Sequence, residues 1–521
     1  MEATESVRPP LGDMRFTLDA SAKPLSYFIT TLLVIVFAYS MRGSKLDLPS
    51  VNSRGRFELT AVQPKKRYLT SARDMIYTWF KANPNKPVKL ISDIGETIVL
   101  PPSMANEIKN DSRLSFMKFS ADFFQTTTPG FDAFHEGTRE SISLVVINKD
   151  LTKSLAKVTE PLADEATLAL KDILGVSKEW RSIHLRETMH HFIARISSRV
   201  FLGDQLCRNE AWLEITKGYT MNGFASADRL REWPRILRPI VHWFLPGCQK
   251  ARSQLVEAAR ILKPVLAERC ALRAAAAAEG REPPFFNDAI DWFEQASKGA
   301  HYDPAISQLF LSSVAIHTTT DLLNAVLTDI AKNPEILEPL RREILTVLKQ
   351  GGWQKTSLYS MKLLDSVVKE TQRLKPLQLA SMQRKSLADI TLSDGTFIPK
   401  DTCVYVSSHV HLDPDVYQEP EKWIGDRFLR LREQPGKENV AQLVSTSPEH
   451  LGFGHGKHAC PGRFFAANEI KIALVHLVLQ YDWRLPDGAQ PFVFDYGINP
   501  MLNPDLQLEF RRREEEVDLQ F

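Results

Sequence analysis

Cysteine is scarce in this sequence. Five occur in 521 residues, at Cys207, Cys248, Cys270, Cys403 and Cys460, widely scattered and with no CxxC pair. That pattern argues against a disulfide framework or a zinc site and places the folded part in a reducing compartment. An excess of one charge is lacking too: a net charge of +2 leaves no field of one sign to draw a nucleic acid. Repeats at solenoid spacing and flavin or nicotinamide fingerprints are absent. The charged run Arg511–Glu516 reads as a solvated face.

Long apolar runs are missing but for one. Leu25–Met41 carries no charge over seventeen residues, entered by Lys23-Pro24 and left by Arg42 and Lys45. Seventeen is the short limit for a helix crossing about 30 Å of hydrocarbon. A cleaved signal peptide fits less well, because mixed charges precede the run and no small-x-small site follows it. The sequence therefore divides into a short tail (1–24), a transmembrane anchor (25–41), a polar connector (42–62) and a folded domain (63–521). Arg42, Lys45, Arg54 and Arg56 follow the span against Arg8, Arg15 and Lys23 before it, which weakly favours a cytosolic C-terminal side. Asn110-Asp111-Ser112 has the glycosylation form, which a cytosolic domain leaves unmodified.

The periodicity beyond the connector is mostly helical. Asp303-Pro304 begins a long helix, Asp as cap and Pro in the first turn, that runs to Lys332 and breaks at Asn333-Pro334. Further helices are predicted at Glu335–Lys349, Ser360–Leu374 and Phe464–Leu479. Strands are predicted at Val88–Ser92, Thr97–Leu100, Ser386–Leu392 with a Ser393-Asp394-Gly395 turn, and Thr402–Ser407. The fold class is mainly α with small β-sheets.

One loop carries most of the chemistry. Phe453-Gly-His-Gly-Lys-His-Ala-Cys460-Pro-Gly-Arg-Phe-Phe465 surrounds a single cysteine with three glycines and a proline at the start of a helix. Backbone N–H groups and the helix dipole at such a junction favour thiolate over thiol. A thiolate so held can ligate haem iron and push electron density toward dioxygen. Other readings stand beside this one. A lone cysteine is commonly a small buried apolar residue, the glycine run lacks the lysine-hydroxyl ending of a phosphate loop, and His455, His458 and Cys460 lack an evident fourth zinc ligand.

Phe453-x-x-Gly456-x-His458-x-Cys460-x-Gly462 resembles the haem-binding signature of the cytochrome P450 family, and three more signatures stand in the family's order. Glu370-Thr-Gln-Arg373 resembles its Glu-x-x-Arg pair, which on a helix shares one face. Pro420-Glu-Lys-Trp423 with Asp426-Arg427-Phe428 resembles the segment that completes a structural triad, Glu370, Arg373 and Arg427. Ala315-Ile316-His317-Thr318-Thr319-Thr320 aligns with the oxygen-activation segment, Thr319 at its usual alcohol. The pattern departs at Ile316, where glycine is usual, and at Thr318, where an acid is usual.

The resemblance implies a cytochrome P450 fold behind the anchor, with residues 63–521 a haem-thiolate catalytic domain and Cys460 the axial ligand of haem b. It implies Thr319 and Thr318 as catalytic residues and His458 and Arg384 as contacts to the haem propionates. Lys149 and Lys153 are the nearest substitutes for the family's basic residue on an early helix. Pocket walls are expected near Leu100–Phe116, Phe310–Thr319, Leu377–Met382 and Ile498–Leu502. Implied partners are O2, membrane lipid and an NADPH-dependent cytochrome P450 reductase, with Lys457, Arg463 and Lys471 as its docking face. The implied substrate is a bulky apolar polycycle, a terpenoid, meroterpenoid or indole-diterpenoid of fungal secondary metabolism. The implied location is the endoplasmic reticulum, single-pass, with a cytosolic catalytic domain. Two alternatives keep the haem: an isomerase or dehydratase working on a peroxide without a reductase, and a non-catalytic haem sensor.

Overall fold

The helix that organises the core begins where the sequence places it. Asp303 Oδ1 accepts from Ala305 N (2.8 Å) and Ile306 N (3.2 Å), and Pro304 opens a helix that runs to Lys332. Its 29 residues make a rod about 44 Å long at ~1.5 Å per residue. In this computed structural model four helices precede it, α1 (Thr152–Leu174), α2 (Leu185–Leu202), α3 (Glu210–Glu232) and α4 (Pro246–Ala278), and α2, α3 and α4 pack on it. The long helix is α5. Behind it lie α6 (Lys362–Leu374) and α7 (Arg463–Gln480). Helix α7 is apolar nearly all round and buried over most of its length, as a central core helix must be.

The structure describes residues 46–58, 60–136 and 142–514, together with Tyr27, Thr30, Thr31 and Val34. The tail 1–24, the rest of the 25–41 run and residues 515–521 lie outside the described residues. Among the described residues no helix is long and apolar enough to cross a membrane.

A five-stranded sheet holds β1 (Val88–Ser92), β2 (Gly95–Leu100), β3 (Leu114–Ser115), β4 (Ala380–Ser386) and β5 (Cys403–Ser407) in the order β1-β2-β5-β4-β3. Only β2 and β5 run parallel. The strand expected over Ser386–Leu392 is instead two pieces. Ser386 ends β4, while Ile390–Thr391 pairs with Phe397–Ile398 around the expected turn, where Gly395 takes φ +87°. Strand β4 was not legible because its residues (ASMQRKS) lack an alternating apolar pattern.

The connector is tied to this sheet. Asn52 donates to Ile91 O (2.9 Å) and Pro64 O (3.1 Å) and accepts from Ile91 N (2.7 Å). A polar composition there satisfies the edge of β1 and does not make a free linker.

Candidate functional site

The cysteine loop is closed by backbone bonds. Cys460 N donates to Phe453 O (2.8 Å) and Ala459 N to Gly456 O (3.0 Å). Gly456 has φ +77°, and a Cβ there would lie 2.4 Å from Lys109 Cβ and 2.8 Å from Lys109 O. Glycine is required both for the conformation and for the close approach. Lys457 N donates to Asn110 Oδ1 (3.0 Å), which binds the loop to the segment after β2. Pro461 and Gly462 form the turn into α7, with Gly462 at its N-cap.

Around the sulfur, the expected N–H groups are present at Gly462 and Arg463, and with the Arg463 charge they pull the Cys460 thiol down; burial outweighs them and pushes it up. Coordination by a metal cation deprotonates a thiol outright. The Arg463 guanidinium donates to Cys460 O (2.8 Å) and lies over Phe464.

Strand β4 delivers the second element of the site. Its register with β5 slips between Ser381 and Arg384, with Met382 at φ +51°, a bulge that re-aims the side chains beyond it. Arg384 is 2% exposed, donates only to Gln383 O (2.7 Å), and leaves Nε and Nη2 without partners. Burial pushes its guanidinium down to about 10. His458 stands close by, its imidazole pushed down to about 4 by burial and by the Arg384 and Lys457 charges. Both pack on the Phe116 ring. A buried guanidinium with orphaned N–H groups beside a half-buried imidazole suits the propionate carboxylates of a haem, because charge-assisted bonds would satisfy those N–H groups. Lys149 and Lys153 are exposed, and among the described contacts neither reaches this pair.

The triad is assembled. Glu370 and Arg373 are 0% exposed and joined by two bonds of 2.8 and 2.9 Å. Arg427 Nε reaches Glu370 Oε1 at 2.9 Å, and Ile424 N donates to the same oxygen at 3.0 Å. The remaining guanidinium N–H groups go to backbone carbonyls: Arg373 to His411, Pro420 and Lys422, Arg427 to Gln418, Glu419 and Lys422. A surface salt bridge it is not.

The threonine segment divides between two faces of α5. Val314, Thr318 and Asp321 form a solvent-reached stripe on a helix otherwise largely buried. Thr318 donates to Val314 O (3.1 Å), one turn back, as a helical threonine does. Thr319 is turned away, 4% exposed, and its hydroxyl serves Glu469 on α7. Ser197 of α2 donates to the same carboxyl (2.5 Å). Burial pushes Glu469 up to about 8, so it is mostly protonated at neutral pH. His317 meets His190 of α2 (3.4 Å between Nε2 atoms) and hydrogen-bonds the Lys217 backbone; burial pushes both imidazoles down, to about 4 and about 3.

Sequence reasoning missed Glu469, Ser197, His190 and Asp321. Glu469 left a signal, an acid nine residues past the cysteine in an otherwise apolar helix. Lys471, expected on a docking face, is 5% exposed and pairs with Asp365 and Leu358 O (3.1 Å). It is removed from that face because α7 is central; Lys457 is exposed. Of the expected pocket walls, Leu377 meets Met501 and Leu502 in a recess against Asp321, Leu322 and Ala325 of α5, one turn beyond Phe310–Thr319.

Comparison with known proteins agrees with this geometry. The cytochrome P450 profile matches residues 98–508. Cytochrome P450 monooxygenase hepE of Aspergillus oryzae is 50% identical over 92% of this chain and 89% of its own length. Dihydromonacolin L monooxygenase LovA of Aspergillus terreus is 40% identical over 95% and 94%. The crystal structure of a cytochrome P450DA heme domain shares the fold, with TM-score 0.65 at 15% identity over 90% of this chain and 99% of that one. The chain belongs to the cytochrome P450 family, as a monooxygenase whose cofactor is haem.

Proposed function

We propose that Cys460 is the axial ligand of the haem iron, that Arg384 and His458 hold its propionates, and that Glu370, Arg373 and Arg427 lock the core beside the cysteine loop. The single observation that carries this is the Arg384 guanidinium, buried with two unpaired nitrogens near a histidine two residues from Cys460. Haem held by a thiolate supplies the oxygen-cleaving chemistry; the chain's residues position it and manage protons. Thr318 supplies the hydroxyl facing the open stripe of α5. Thr319 acts one step back, in the network with Glu469 and Ser197. Reading the oxygen-activation segment one residue earlier puts Ala315 at the small-residue position and removes the anomaly of Ile316.

The substrate is a bulky apolar polycycle of the terpenoid, meroterpenoid or indole-diterpenoid class, which the enzyme hydroxylates, epoxidises or oxidises further in fungal secondary metabolism. The apolar side chains of Leu322, Ala325, Leu377, Met501 and Leu502, which share one recess, would meet the surface of such a molecule. Electrons come from an NADPH-cytochrome P450 reductase. The 25–41 run anchors the protein in the endoplasmic reticulum membrane with a cytosolic catalytic domain. Ile236, Ile240, Trp243 and Phe244 are 84, 60, 52 and 75% exposed, an apolar patch that supports contact with lipid.

Full-length protein in lipid vesicles, supplied with reductase, NADPH and candidate polycycles, tests this. Products heavier by one oxygen, absent without reductase, are expected. Conversion of a peroxide without NADPH would favour the isomerase alternative.

A further inference from the structure

Two buried carboxamides border one recess with hydrogen-bonding capacity unspent. Asn324 of α5 and Gln372 of α6 are 3% and 1% exposed, and both line the recess shared by Leu322, Leu377 and Met501. Asn324 Oδ1, an acceptor, and Gln372 Nε2, a donor, have no hydrogen-bond partner among the described residues. They therefore do not bond each other. Buried polar groups are nearly always paired, and one left unpaired is costly. We infer that the two carboxamides form a subsite for a hydroxyl group of the substrate, whose O–H donates to Asn324 Oδ1 while its oxygen accepts from Gln372 Nε2. This deepens the monooxygenase reading above and rests on it.

The orientation of Gln372 is set by its neighbours. Its Oε1 accepts from His450 Nε2 (3.0 Å). Burial and the Lys369 charge push the His450 imidazole down, so the ring is neutral, and its single N–H belongs on Nε2 because a carboxamide oxygen only accepts. The same side chain is seated against Gly452, where any Cβ would collide with it. Nε2 is left as the unused end. Asn324 stands in α5 between Leu322, Leu323, Ala325 and Val326, all buried and apolar. An amide in that setting needs a partner that the helix does not supply.

The other polar groups of the recess decide the charge of the ligand. Asp321 and Arg186 both line it and act on each other as opposite charges. Lys375 is paired with Asp329, and Asn503 Oδ1 accepts from Asp505 N (3.0 Å). These pairings favour a neutral group over a carboxylate or an ammonium. A ketone would answer Gln372 and leave Asn324 Oδ1 unpaired, and a hydrocarbon would answer neither. A hydroxyl is both donor and acceptor and answers both. Such a substrate reaches the enzyme already bearing an oxygen, placed by an earlier hydroxylation or by water capture of a carbocation.

Isothermal titration of the haem-loaded, full-length enzyme with tricyclic sesquiterpenes, in matched alcohol, ketone and hydrocarbon forms, tests the subsite. The tightest alcohol is expected to bind roughly tenfold more tightly than its hydrocarbon, with the ketone between them. Asn324→Leu keeps the size and removes the acceptor. It should bring the alcohol to the level of the ketone while hydrocarbon affinity stays within about twofold. Alcohols that bind no better than their hydrocarbons would overturn the proposal, as expected if a fixed water satisfies both amides. Equal loss of alcohol and hydrocarbon in Asn324→Leu would show a packing role and overturn it too, as would an unchanged alcohol preference. If that variant loads no haem, the wild-type series decides alone. A wild-type protein without the red-shifted carbon monoxide band would instead overturn the reading on which the subsite rests, whatever the titrations give.

Discussion

Two glutamates of this protein are equally buried and differently partnered. Glu370 and Glu469 are both 0% exposed. Glu370 receives two guanidinium groups and the Ile424 N–H, as one member of an ion-pair lock. Glu469 receives only the Ser197 and Thr319 hydroxyls, and burial lifts it to about 8. Burial alone does not decide charge. The partners do: full charges keep a carboxylate ionised, whereas hydroxyls leave it an acid. The first site is built to stay fixed, and the second places an acid beside α5.

The largest effect should come from breaking the lock. Arg373→Ala takes one of its two guanidinium partners from buried Glu370, at a cost of ~3–5 kcal/mol. Thermal melting and haem content should show a strongly destabilised protein with little haem loaded. Near-normal melting would reduce the triad to a surface pair and erase the contrast.

A smaller, pH-dependent effect is expected at Glu469. Its folded value, about 8, lies above its ordinary 4.5, so the folded state binds the proton more tightly. The stability this confers is complete below 4.5 and is lost as pH rises through about 8. Glu469→Gln keeps a neutral hydrogen-bonding group and should flatten that part of the pH–melting curve while changing stability little at its acidic end. A variant that follows the wild-type curve through this window would show Glu469 ionised at neutral pH.

The same contrast explains what the sequence reveals. Glu370 and Arg373 share a helix at a spacing that forces them onto one face, and the glycines around Cys460 mark a tight loop wherever they occur. Such local devices are legible in one dimension, as are the Asp303-Pro304 start of α5 and the hairpin strand β1. Glu469 is different, because its partners come from α2 and α5, 272 residues away in the case of Ser197. Arg384 was found by resemblance, but the bulge that orphans its guanidinium was invisible in ASMQRKS. The face chosen by each threonine was ambiguous for the same reason: neighbours on a helix point roughly 100° apart, and only the packing of α2 and α7 says which direction is buried.

The account depends above all on a sulfur–iron bond at Cys460. The decisive measurement is the reduced carbon monoxide spectrum of Cys460→Ser beside the wild type, at matched haem content. Loss of the red-shifted band, with haem still held by Arg384 and His458, is the predicted result, because serine cannot donate electron density to iron as a thiolate does. A Cys460→Ser protein that keeps the band would contradict it.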